Sequence, residues 1–140
     1  MSLDQAIHDA CLADSAVANI VSTRVYPMYV PQGETGAAVV YHIISGDDEY
    51  VCDGAVGLPD IRVQITAFSA QLRDGGTHVQ CVELYRALVA LWKHYVGTVG
   101  GETIQGTHII KHADIDSFDD KDENASRWGR AIDVIVSYEE

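Results

Sequence analysis

The chain has 140 residues, 47% of them hydrophobic and 21% charged, enough to bury a core without disulfides or metal, so one domain spanning 1–140 is expected. Nine basic residues against 21 acidic ones leave a formal net charge of −12, which opposes gripping nucleic acid, since binding there needs a positive footprint to displace counterions. No apolar run is long enough to cross a bilayer, so a soluble chain without a membrane partner is expected.

Met1-Ser2-Leu3-Asp4-Gln5 carries an acid where a secretory signal has bases, which points to synthesis in the cytoplasm. From Ser2 to Ala13, Leu3, Ala6, Ile7, Ala10 and Cys11 fall at helical spacing, with Ser2 placed as a cap. Asp14 and Ser15 offer a second cap before Val17, Ile20 and Val21, so a short helical hairpin is expected. Arg24-Val25-Tyr26-Pro27 is a brief extended stretch that proline ends, because proline removes a ladder donor. Pro31-Gln32-Gly33 turns the chain back as a corner.

Ala38 to Ile44 is a β-branched strand, and Asp60 to Ser69 alternates Ile61, Val63, Ile65 and Ala67 against polar neighbours. Between them lie the charged tip Ser45 to Glu49 and a stretch, Tyr50 to Gly57, that local pattern leaves open between strand and loop. Thr77 leads the main helix, with Cys81, Val82, Tyr85, Leu88, Val89 and Trp92 on one side and Lys93 and His94 closing it before Gly97, Gly100 and Gly101. Two strands follow, Thr103 to Ile110 and Arg127 to Tyr138, joined through the acidic run Asp114 to Glu123. In the last, Ile132, Val134, Val136 and Tyr138 alternate with Asp133, Ile135 and Ser137, putting one face in a core. The order predicts an α+β fold: a mixed or antiparallel sheet of about four to five strands against a short N-terminal helical hairpin and one long central helix.

Chemistry-bearing patterns are scarce. The acidic run has clustered oxygens for a hard cation, but counting a calcium loop from Asp120 puts Ala125 at the turn glycine and Ala131 at the bidentate glutamate. His108 and His112, with Asp114 and Asp116 behind them, could serve a metal-dependent hydrolase, yet residues four apart on a strand are separated by about 13 Å along it. Cys11, Cys52 and Cys81 are an odd set without Cys-x-x-Cys spacing, and no nucleophile elbow is present. Gly75-Gly76 and Gly100-Gly101 lack the context of a phosphate cradle and read as turn glycines. The Asn124-Ala125-Ser126 acceptor triplet has no secretory context. No catalytic residue, metal or cofactor is therefore expected. Trp128 between Arg127 and Arg130 stands out, because tryptophan and arginine are enriched at interface hot spots.

Taken together, the helical start, Arg24-Val25-Tyr26-Pro27, Pro31-Gln32-Gly33, the Val39-Val40-Tyr41 and Val63-Gln64-Ile65 strands, the long helix and the arginine-led last strand ending Val136-Ser137-Tyr138-Glu139 resemble the tail-completion or tail-terminator family of long-tailed bacteriophages and prophages. The resemblance implies a structural subunit forming a ring, typically a hexamer, on the head-proximal end of the tail tube. There it stops tube growth and meets the head–tail connector protein, while DNA passes through as cargo. Location in the virion tail, after assembly in the bacterial cytoplasm, follows from the same likeness. The positions carried over as interface are Tyr26, Pro27, Pro31, Gly33, Arg127, Arg130 and Tyr138, with Trp128 added from composition. The acidic segments Asp47, Asp48, Glu49 and Asp119, Asp120, Asp122, Glu123 are the expected bore lining, where negative charge repels DNA. The alternatives are a small metal-dependent hydrolase using His108, His112, Asp114 and Asp116, and a host or mobile-element binding module.

Overall fold

In the computed structural model, residues 3–27, 30, 34–47, 50–51, 54–55, 60–71, 75–93, 95–99, 102–117 and 127–139 are described. Helix α1 (Leu3–Ala13) and helix α2 (Ser15–Val21) lead into β1 (Val25–Pro27), β2 (Ala38–Asp47), β3 (Tyr50–Val51), β4 (Gly54–Ala55) and β5 (Asp60–Phe68). Helix α3 (His78–Trp92), β6 (Gly97–Val99), β7 (Glu102–Ser117) and β8 (Arg127–Glu139) complete the order. Six strands form one sheet in the order β1-β2-β5-β8-β7-β6, and β3 pairs with β4 apart from it. The β1–β2 pair is parallel and the other pairs are antiparallel, so the sheet is mixed and the fold α+β.

The alternation read from the sequence sets which face is covered. Register aligns Tyr41 with Ile65 and Ile65 with Ile132, and Ile43 with Val63 and Val63 with Val134. These rows share one core with Ile7 and Cys11 of α1, Val17 and Val21 of α2, and Leu84, Leu88 and Trp92 of α3. The helices thus lie on that face of the sheet. Asp14 caps α2, its Oδ1 accepting from Val17 N at 3.1 Å, and Thr77 caps α3, its Oγ1 accepting from Gln80 N at 3.1 Å. Both caps were legible as residue types, whereas Ser2 lies outside the described residues. Burial pushes the Cys11 thiol up to about 12. Among the described residues, Trp92 Nε1 reaches no acceptor at normal hydrogen-bond geometry, and the Cys11 sulfur beside it offers a weaker contact.

Three details differ from the sequence reading. β6 adds an edge strand where only helix-ending glycines were expected, because three residues are too few to show alternation. β7 continues through Asp114–Ser117, read before as part of an acidic connection, because β8 supplies a ladder that includes Asp114 opposite Arg130. Leu84, left out of the helix stripe, is fully buried at its centre. The open stretch after Tyr50 holds two strands of two residues each. At the turn before α3, Gly75 has φ +83°, and a Cβ on Gly76 would sit 1.7 Å from the Ala70 carbonyl oxygen. Among the described residues, no helix is long and apolar enough to cross a membrane.

Candidate assembly surface

The 34–36 segment and the start of the last strand, separate in sequence, meet at one end of the sheet and form a corner there. Arg127 opens β8, and its guanidinium points inward: Nη1 donates to Gly36 O at 2.6 Å and Ser69 O at 2.9 Å, and Nη2 donates to Glu34 O at 2.5 Å. One planar cation thus fastens the 34–36 segment to the end of β5. From the other side, Arg24 Nε donates to Ala37 O at 2.6 Å, and its Nη2 to Ile20 O at 3.3 Å. A Cβ on Gly36 would lie 2.7 Å from Arg24 Nε, so the arginine occupies the space that glycine leaves.

Glu34 completes this corner. Its Oε1 accepts from Gly36 N at 3.1 Å and stands 3.9 Å from Arg24 Nε, while its Oε2 accepts from the Tyr26 hydroxyl at 3.1 Å. The Gly36 N–H first, then Tyr26 and Arg24, hold the Glu34 carboxyl below its ordinary value of 4.5 against an opposing effect of burial. Burial, followed by the Glu34 carboxylate, raises the Tyr26 phenol above 10.0. Pro27 is exposed at the end of β1, paired in register with Tyr41. Pro31 and Gly33 lie outside the described residues.

Beside this braced corner the surface is aromatic and basic. Trp128 is held by its backbone, its N–H donating to Ser69 Oγ at 3.0 Å and its carbonyl accepting from Ser69 N at 2.9 Å. Its indole remains 48% exposed and meets His78 edge-on, ring centroids 5.2 Å apart. Arg130 lies over the Tyr85 ring at 5.0 Å, and the Tyr85 hydroxyl is hydrogen-bonded to His112 Nδ1. Tyr85, His112, Ala113 and Arg130 line a shallow depression of about 270 Å³. Tyr138 aligns with Ile104 at the other end of β8.

The two acidic segments leave the sheet from opposite ends. Asp47 is the last residue of β2, level with Asp60 and Ser137. The connection bearing Asp119, Asp120, Asp122 and Glu123 joins Ser117 to Arg127, about 30 Å away along β8 at normal strand rise. Asp48, Glu49, Asp119, Asp120, Asp122 and Glu123 lie outside the described residues.

For the hydrolase alternative, register is more telling than distance. The ladder slips between Ile109 and Lys111, leaving Ile110 as a bulge. His108 therefore aligns with Ile135 and His112 with Ile132, on opposite faces of the sheet. In the ladder Asp114 is paired with Arg130 and Asp116 with Trp128. Among the described residues no three His, Cys, Asp or Glu side chains gather in a way that could hold a metal ion.

Sequence reading alone missed Arg24 and Glu34 as corner posts, Tyr85 and His112 as neighbours of Arg130, and the ion pair of Arg62 Nη2 with Asp133 Oδ2 at 2.5 Å. Only the last left a signal, an acid in the middle of an apolar strand. The others depend on pairs 10 to 45 positions apart.

A family model described as tail completion protein gp17 matches residues 5–128. The chain belongs to this family, and with it to the structural proteins of phage-type virion tails. Seventeen chains of solved structures match it. One of them, from a structure titled "Virion of native gene transfer agent (GTA) particle", has a TM-score of 0.65 at 18% identity, covering 98% of this chain and 95% of that one. At that identity the likeness speaks for a shared fold. No curated protein matches the sequence.

Proposed function

We propose that this chain closes into a ring, a hexamer by family resemblance, on the head-proximal end of the tail tube, ends tube growth there and docks the head–tail connector protein. DNA passes through the ring as cargo. The role is structural and not catalytic, carried out in the virion tail after assembly in the bacterial cytoplasm. The observation that carries this reading is the half-exposed Trp128, flanked by His78 and Arg130 and seated on a corner braced by Arg24, Glu34 and Arg127. A large rigid side chain held up by a fixed backbone is what an interface anchor requires.

In this reading Tyr26, Pro27, Pro31 and Gly33 shape a subunit edge, and Trp128 and Arg130 touch the neighbour. Arg127 acts through the corner that it fastens. Tyr138 lies at the opposite end of β8. Asp47, Asp48 and Glu49, or Asp119, Asp120, Asp122 and Glu123, line the bore and keep DNA from sticking.

The test is mass measurement of the protein alone and mixed with its tube protein. A discrete oligomer is expected in the mixture. Trp128→Ala should lower its yield severalfold while shifting the Tm of the free chain by less than about 3 °C, as a surface substitution does. Equal loss of oligomer and of Tm would make Trp128 an ordinary packing residue, and no oligomer in the mixture would end the ring reading.

A further inference from the structure

The sequence makes the Trp128 surface look basic, because Arg127 and Arg130 flank it. In the fold both arginines are engaged: Arg127 donates to the carbonyls of Glu34, Gly36 and Ser69, and Arg130 lies over the Tyr85 ring. The neighbouring strand sets acids beside them, since Asp116 is paired in the ladder with Trp128 and Asp114 with Arg130. Counted in full from Asp114 to Arg130, the sequence holds six acids against three bases, Lys121, Arg127 and Arg130. An indole 48% exposed in negative surroundings suits a cationic side chain, because the ring quadrupole and the net charge both attract one.

Helix α3 carries cations at its far end. His78, edge-on to Trp128, is its first residue. Its exposed side chains are then Val79, Glu83, Arg86, Ala90 and Lys93, spaced by three and four so that they share one side of the helix. Over the whole of 78–93, Glu83 stands against Arg86 and Lys93. At helical rise Arg86 lies about 12 Å and Lys93 about 22 Å along the axis from His78. One copy therefore has an aromatic, acid-flanked surface at the start of α3 and cations towards its end. Complementary surfaces at two places on one subunit make a heterologous contact, the kind that closes into rings. At a net charge of −12 per chain copies repel one another, and a contact that sets a positive patch on a negative one offsets part of that repulsion.

We propose that Trp128 of one copy receives the end of α3 of a second copy, with Arg86 and Lys93 facing its indole. The inference rests on the ring reading and states what the neighbour brings to Trp128.

The test uses the protein mixed with its tube protein. Arg86→Glu/Lys93→Glu should lower the yield of oligomer at least about tenfold, because like charges then meet, whereas Arg86→Lys/Lys93→Arg should keep it. Both positions are exposed, so the Tm of the free chain should move by less than about 3 °C. A second arm needs no charge change. Cys11 and Cys81 are buried, so in a Cys52→Ser background Val79→Cys protein is mixed with Ala90→Cys protein and mildly oxidised. A mixed disulfide between copies should form at least about tenfold faster than dimers of either protein alone, because docking raises the effective thiol concentration. An oligomer that survives the charge reversal, or that forms without the faster mixed disulfide, overturns the helix contact and leaves the ring standing. If the reversed chain is unfolded, the disulfide arm decides alone. Absence of any oligomer from the native chain removes the ring and the inference together.

Discussion

Arg127 shows how a residue chosen for one role on sequence grounds takes another in the fold. Arginine beside tryptophan suggests a contact surface, yet this guanidinium is committed to the carbonyls of Glu34, Gly36 and Ser69. Arg127→Ala would leave those acceptors unpaired, at a cost of roughly 2–3 kcal/mol in urea unfolding. Arg127→Lys should recover part of the loss, because a single ammonium cannot span three acceptors as a planar fork does. A neutral effect of the alanine change would return Arg127 to the surface. Glu34 gives a companion expectation with a defined sign. Its folded-state carboxyl lies below 4.5, so its stabilisation is complete above that value and fades as pH falls through the depressed one. The gap in urea midpoint between the native chain and Glu34→Gln should narrow as pH is lowered from about 7 to about 3. A gap constant over that range would mean that the carboxylate charge does not brace the corner.

Among the elements, the long ones with a regular period were the most legible. The inward rows of β5 and β8 and the Thr77 start of α3 follow from alternation and capping. The bulges were not readable: at Ile110 a single inserted residue sends His108 and His112 to opposite faces, although their spacing in sequence puts them on one. The partner strand decides the slip, and it lies about 20 residues further on. The turn before α3 is a second such case, since Gly75-Gly76 reads as any loop while the structure brings the Ala70 carbonyl to 1.7 Å from where a Gly76 Cβ would stand. Gly76→Ala must move the turn or the end of β5, so a loss of several degrees in Tm is expected, about 1–3 kcal/mol as for other overpacked sites. A Tm within a degree of the native chain would show that the turn relaxes freely.

For the whole molecule, charge pointed away from a nucleic-acid-gripping protein, and the order of its elements predicted an α+β fold and carried the family resemblance that the match over residues 5–128 bears out. Periodicity did this because each strand or helix must put its own apolar side towards a core. The tertiary structure alone decided which arginine braces and which is presented, that the acidic connections leave from opposite ends of the sheet, and that β7 runs on past its short neighbour. Those facts depend on register and on pairings between distant segments. Local sequence pattern carries little record of them, because what a strand residue contributes depends on the cross-strand neighbours that tertiary pairing supplies.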